Sequence, residues 1–214
     1  MKQMDGQKPK KFRHLFLDAE GTLYIPKNGR PHWEFWADPT PEAAVEFYEL
    51  DKGVKETLES LKDQMDSICL VSHNPESILM ALLEEFGIRH LFDEVMINGD
   101  KGKQIVEYLI RNGYRRENAL MIGDTPKLDL FPVRRMGVES ILVDRCYNIW
   151  ADAERIKSLA DLPTWLKIAE IAEEIGNVRP YVASLDDFVT ADKLVAPSTS
   201  RAFATKRLIG ASGA

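Results

Sequence analysis

The sequence predicts an α/β protein, a Rossmann-like parallel sheet flanked by helices, on three observations. Short apolar runs rich in β-formers alternate along the chain with helical periodicities, the pattern of a parallel sheet covered by helices. Several of those runs end in small polar or acidic residues, Asp18, Ser72 and Asp124, on the edge where a parallel sheet collects its ligands. A length of 214 residues, at about 150 per domain, allows one such domain with extensions.

His14 to Leu17 is the first strand, closing at Asp18 and followed by the turn residues Gly21 and Thr22. The second, Ile68 to Val71, ends at Ser72, and Asn74 then reads as an N-cap with Pro75 at the first helical position. The helix after it carries Ile78, Leu79, Leu82, Leu83 and Phe86 on one stripe and stops at Gly87. A third strand covers Glu94 to Ile97. Ile105, Val106, Leu109 and Ile110 at helical spacing predict a helix over Lys101 to Asn112, closed by Gly113. Ala119 to Ile122 forms the fourth strand, ending at Gly123 and Asp124, and Lys127 to Met136 reads as a helix weakened by Pro132. Ser140 to Val143 is the fifth strand. Ala151 to Ile175 is expected as one or two helices on the outside of the sheet.

One segment breaks the rhythm. Residues 24–48 hold four prolines (Pro26, Pro31, Pro39, Pro41) and six aromatics (Tyr24, Trp33, Phe35, Trp36, Phe47, Tyr48), so a flap or lid is expected there. A helix follows from about Val54 to Leu61. The ends divide into a flexible basic arm over 1–12 and a C-terminal extension over 176–214, whose Ser/Thr/Ala/Gly-rich end is expected to be mobile; 13–175 is the main domain.

Composition excludes several classes. No apolar stretch approaches the roughly 18 residues of a membrane span, and 28 basic against 34 acidic residues give a net charge of −6, so neither a membrane nor nucleic acid is an expected partner. The two cysteines, Cys69 and Cys146, follow no ligand spacing, which fits a reducing cytoplasm. Gly99 to Gln104 lacks the glycine spacing and the Ser or Thr of a nucleotide-binding P-loop.

At the carboxyl ends of the predicted strands stand Asp18, Glu20, Ser72, a lysine opening the Lys101 helix, Asp124 and Asp129. Carboxylates, a hydroxyl and a lysine on one edge suit a hard cation and a phosphate, because such cations take oxygen ligands and phosphate takes lysine and hydroxyl donors. The order and spacing of these residues resemble the haloacid dehalogenase superfamily of phosphohydrolases. Leu15 to Thr22 resembles its first motif, Asp-x-Asp-Gly-Thr after an apolar strand; Cys69 to Ser72 resembles the second; Lys101, with Lys103 as fallback, supplies the third; Gly123-Asp124 with Asp129 resembles the fourth.

The resemblance covers roughly residues 13–165 and implies a hydrolase domain using Mg²⁺. It makes Asp18 the nucleophile and a metal ligand, with Asp124 and the backbone carbonyl of Glu20 completing the protein ligands and Asp129 behind them. Ser72, the backbone N–H groups at His73 and Asn74, and Lys101 would hold the phosphoryl oxygens. Glu20 would be the acid and base, but the family pattern carries aspartate there, and the extra methylene moves the carboxyl by about 1.5 Å, where 1 Å can cost about a hundredfold in rate.

The 72 − 18 = 54 residues from Asp18 to Ser72 leave no room for a large helical cap, so a minimally capped member is expected. The implied function is a Mg²⁺-dependent phosphomonoester hydrolase working through an aspartyl-phosphate, acting on a small phosphorylated metabolite or a phosphoprotein, with an oligomer allowed. The alternative is a weakly catalytic phosphate-binding or regulatory protein on the same scaffold. A dehalogenase acting at carbon fits less well, because such enzymes generally lack the metal-binding carboxylates that Asp124 and Asp129 offer.

Overall fold

The computed structural model describes residues 11–174. In chain order its elements are β1 (His14–Leu17), β2 (Tyr24–Pro26), α1 (Trp33–Trp36), α2 (Pro41–Phe47), β3 (Tyr48–Leu50), α3 (Val54–Lys62), β4 (Ser67–Ser72), α4 (Glu76–Glu85), β5 (Glu94–Ile97), α5 (Lys101–Asn112), β6 (Ala119–Gly123), α6 (Phe131–Arg135), β7 (Glu139–Val143), β8 (Arg155–Ile156) and α7 (Leu162–Glu174). The first ten residues of the arm and all of 176–214 lie outside the described part.

Six strands form one sheet in the order β5-β4-β1-β6-β7-β8, every pair parallel. The chain leaves β1 toward β4 and β5, then crosses back to β6 on the other side of β1. The crevice beyond the carboxyl ends of β1 and β6 is therefore the topological switch point. Side chains alternate between faces along a strand. Leu15 and Leu17 thus join Ile68, Leu70, Leu120 and Ile122 under α3, α4 and α7, whereas Phe16, Cys69 and Met121 pack under α5 and α6. Phe12, just ahead of β1, is buried against Trp165.

The segment 24–48 is ordered by a second, two-stranded antiparallel pair, β2 with β3, in which Tyr24 faces Leu50 and Pro26 faces Tyr48. The helices α1 and α2 fill the connection, and Thr40 caps α2 by accepting the Ala43 N–H at 3.1 Å. Proline stiffening and aromatic packing thus build a small ribbon over the switch point.

Three local expectations change. The helix after β4 starts at Glu76, because Pro75 is extended at ψ 137 and the Asn74 amide is spent on the Tyr24 hydroxyl at 2.7 Å. Residues 127–136 are not one helix: a wide π turn over Pro126–Leu130 precedes α6, which puts Pro132 in a first turn, where its missing N–H costs nothing. Of the expected outer helices over 151–175 there is one α-helix, from Leu162, led in by a 3-10 turn at Leu159–Asp161. Ahead of them β8 adds a sixth strand, pairing Arg155 with Leu142 and Ile156 with Val143. No helix among the described residues is long and apolar enough to cross a membrane.

Candidate active site

The first-strand pairing runs one residue past β1, since the Asp18 N–H donates to Ile122 O at 2.9 Å and carries Asp18 to the sheet edge. Next to it Asp124 follows the end of β6, where Asn148 Nδ2 donates to the carbonyls of Asp124 at 2.7 Å and Val143 at 2.8 Å. Asp129 comes from the π turn. Its Oδ2 accepts the Thr125 N–H at 2.7 Å, and its side chain lies so close over Gly123 that a Cβ there would meet it at 2.5 Å. Oxygens of Asp18, Asp124 and Asp129 all lie within 4.8 Å of one another.

Lys101 opens α5 behind its Asp100 cap and turns inward. Its Nζ donates to Asp18 Oδ1 at 2.5 Å and to Asp129 Oδ1 at 2.6 Å. Lys103 is exposed, and its backbone N–H serves the Asp100 cap. Of the two candidate lysines, Lys101 is the one in the cluster.

These groups line a cavity of about 330 Å³ together with Glu20, His32, His73, Asn74, Thr125, Leu128 and Tyr147. Ser72 is not on its wall. It lies buried beneath, its Oγ accepting the Asn74 N–H at 3.1 Å, and so shapes the turn that presents His73 and Asn74. Gly21 is required where Asp124 approaches: at φ +76 it has no Cβ, and one there would stand 2.6 Å from Asp124 Cγ and 2.7 Å from the Tyr147 hydroxyl.

The cluster stands at the switch point of the sheet, and the haloacid dehalogenase-like hydrolase pattern matches residues 16–143. The chain belongs to that hydrolase family. It is similar to a ribulose-1,5-bisphosphate 5-phosphatase of Halopiger xanaduensis, 29% identical over 108 residues that cover 48% of this chain and 45% of the relative. A phosphoglycolate phosphatase of Aliivibrio fischeri is 32% identical over 102 residues, 44% of each chain. The match thus spans under half the length of these curated relatives. A crystal structure of a haloacid dehalogenase-like family hydrolase from Xanthomonas campestris superposes with a TM-score of 0.57 at 12% identity, covering 78% of this chain and 99% of that one, a likeness of fold.

Electrostatics in this cluster follow from burying three carboxylates around one ammonium. Burial, then the charges of Asp18 and Asp129, push Asp124 up to about 8. Burial and Asp18 raise Asp129 to about 6 against the pull of Lys101. Burial alone would depress Lys101, but Asp18 and Asp129 hold it above its ordinary value. Burial would likewise raise Glu20, yet hydrogen bonds from His32 and Tyr48 bring it below the usual carboxylate range. Burial and then Lys101 lower His73.

Sequence reasoning missed His32 and Tyr147. His32 Nδ1 bonds Glu20 Oε1 from the ribbon, and the Tyr147 hydroxyl bonds Asp124 Oδ2 from the loop after β7. Applying the strand-end rule to β7 as well would have reached Tyr147. His32 had only its place between Pro31 and Trp33 in the aromatic segment as a signal.

Proposed function

We propose that this chain is a Mg²⁺-dependent phosphomonoester hydrolase that works through an aspartyl-phosphate on Asp18. The observation that carries the reading is the Asp18, Asp124 and Asp129 cluster with the Lys101 ammonium set between two of its members. Its donors fit a hard divalent cation. All are oxygens, and Asp124 Oδ1 is buried without a hydrogen-bond partner. Asp18, Asp124 and the Glu20 carbonyl would hold the ion, with Asp129 fixed behind them by Thr125 and Lys101. When bound, Mg²⁺ neutralises phosphoryl oxygens so that a carboxylate can approach phosphorus.

In this reading an Asp18 carboxylate oxygen forms the new bond to phosphorus while the bond to the leaving oxygen breaks. Glu20, on the cavity wall, is held below its ordinary value by His32 and Tyr48. It therefore takes up a proton as the anionic phosphate ester arrives beside it and gives that proton to the leaving oxygen. Glu20 then takes a proton from the water that attacks phosphorus, which frees phosphate and restores both carboxyl groups. Lys101 and the backbone N–H groups at His73 and Asn74 hold the phosphoryl oxygens.

The names of the two curated relatives favour a small phosphorylated substrate. The connection from Asp18 to Ser72, a two-stranded ribbon with α1, α2 and α3, supports a minimal cap. Both cysteines are free thiols, which suits the reducing cytoplasm that belongs to the same reading. The test is a panel of phosphate esters assayed with and without Mg²⁺. Phosphate release that needs the metal is expected; binding of the esters without turnover would favour a regulatory phosphate-binding protein instead.

A further inference from the structure

Glu20 is held by one segment and through one atom. The Tyr48 hydroxyl donates to Glu20 Oε1 at 2.7 Å, His32 Nδ1 bonds the same oxygen, and Trp36 Nε1 reaches it at 3.4 Å. Among the described residues Oε2 takes part in no hydrogen bond. Glu20 and His32 lie on the wall of the cavity that also holds Asp18.

Resting on the phosphatase reading, we propose that His32 and Tyr48 are positioning residues, fixing the Glu20 carboxyl through Oε1 and leaving Oε2 as the oxygen that carries the proton. With Tyr48 donating and His32 in its Nδ1–H tautomer, Oε1 accepts both bonds, so the acid form bears its proton on Oε2. Glutamate also has one more rotatable bond than aspartate, and an unheld carboxyl would wander by more than the distance that proton transfer tolerates. The ribbon removes that freedom.

The holders are themselves fixed. Tyr48 is 1% exposed. Its ring packs edge-on to Tyr24 at 5.2 Å, Phe35 at 5.1 Å and Phe47 at 4.9 Å, and its backbone is registered against Pro26 by the β2–β3 pair. The aromatic and proline content of 24–48 then has a chemical use: it builds a rigid bracket that reaches the longer side chain at position 20.

The experiment compares Tyr48→Phe, His32→Ala, His32→Asn and Glu20→Gln, alone and combined, on an alkyl and a nitrophenyl phosphate at saturating Mg²⁺, with melting curves for each. Tyr48→Phe and His32→Ala should lower kcat roughly 10- to 100-fold on the alkyl ester and much less on the nitrophenyl ester, with KM nearly unchanged. His32→Asn, which restores an N–H donor close to the Nδ1 position, should recover most of the loss. In the Glu20→Gln background neither change should cost more.

Equal losses on both esters, or losses that add to that of Glu20→Gln, would overturn the proposal, as would active variants with unchanged kcat. A wild type without Mg²⁺-dependent hydrolysis would overturn the phosphatase reading and this inference with it. If Tyr48→Phe melts early, His32→Asn against His32→Ala still decides, because His32 is partly exposed and outside the core.

Discussion

Lys101 Nζ sits 2.6 Å from Asp129 Oδ1, and both side chains are shut away from solvent. The same ammonium reaches Asp18 Oδ1 at 2.5 Å, so one buried cation offsets two carboxylates. Breaking such an arrangement from one side leaves buried charge without a partner, which costs about 3–5 kcal/mol. Lys101→Met should therefore lower the metal-free melting temperature at pH 7 by roughly 10 °C, at about 2–4 °C per kcal/mol for a domain of this size. Added Mg²⁺ should return part of it while activity stays lost. An unchanged metal-free melting curve would refute the compensation.

Asp18→Asn should abolish turnover without loss of fold. The amide has nearly the same volume but is no nucleophile toward phosphorus and a poor metal ligand. The exchange also takes one negative charge from beside Asp124 and Asp129, whose carboxyls Asp18 pushes up. The metal-free melting temperature should then hold within a few degrees. Turnover surviving within about tenfold, or 1.4 kcal/mol of barrier, would remove Asp18 as the nucleophile.

The site was legible where one rule, polar residues at the carboxyl ends of parallel strands, acts through the local chain. Asp18 and Asp124 stand where an apolar run stops and Lys101 where a helical period begins, so their places could be read from sequence. Strand β8 could not be read: two residues make no pattern, and Arg155–Ile156 is a strand only because β7 offers a free edge. Tyr147 depends on distant contacts too. Its loop is set by Arg145, which donates to Gly21 O at 2.7 Å and pairs with Asp51 at 2.7 Å, across 124 and 94 positions of sequence. Glu20 was visible as a departure from pattern, but its reason lies in His32 and Tyr48, which only the folded ribbon brings near.

Metal and protons should compete at Asp124. Its carboxyl rises from an ordinary 3.8 to about 8 on burial beside Asp18 and Asp129, so the folded metal-free protein holds a proton there that the unfolded chain releases. Stability from that proton is complete below about pH 4 and fades as pH rises toward 8, because the native state is the one that binds more protons. A divalent ion takes the proton's place. The rise in melting temperature given by Mg²⁺ should thus grow between pH 6 and pH 8, and Asp124→Asn should flatten that growth. A metal increment independent of pH in the wild type would contradict the raised carboxyl.

Tyr147→Phe should weaken Mg²⁺ binding while leaving the fold in place. The hydroxyl donates to Asp124 Oδ2, while Oδ1 of the same carboxylate is buried with no partner. One oxygen is thereby anchored and the other left for a cation. Groups that orient a metal ligand in this way typically contribute 10- to 100-fold in metal affinity. Phenylalanine keeps the ring, which is 43% exposed and packs edge-on to His32 at 6.1 Å, so little core packing is disturbed. Removing the donor also makes the buried Asp124 carboxylate harder to ionise, since that hydrogen bond opposes the effects that raise it. Both consequences act in one direction. Calorimetric titration with Mg²⁺ at pH 7 should give a dissociation constant about 10- to 100-fold higher in the variant, and the gap should narrow as pH rises and Asp124 ionises without help. If the two proteins bind Mg²⁺ equally at every pH, the tyrosine only closes the cavity wall and does not orient the ligand.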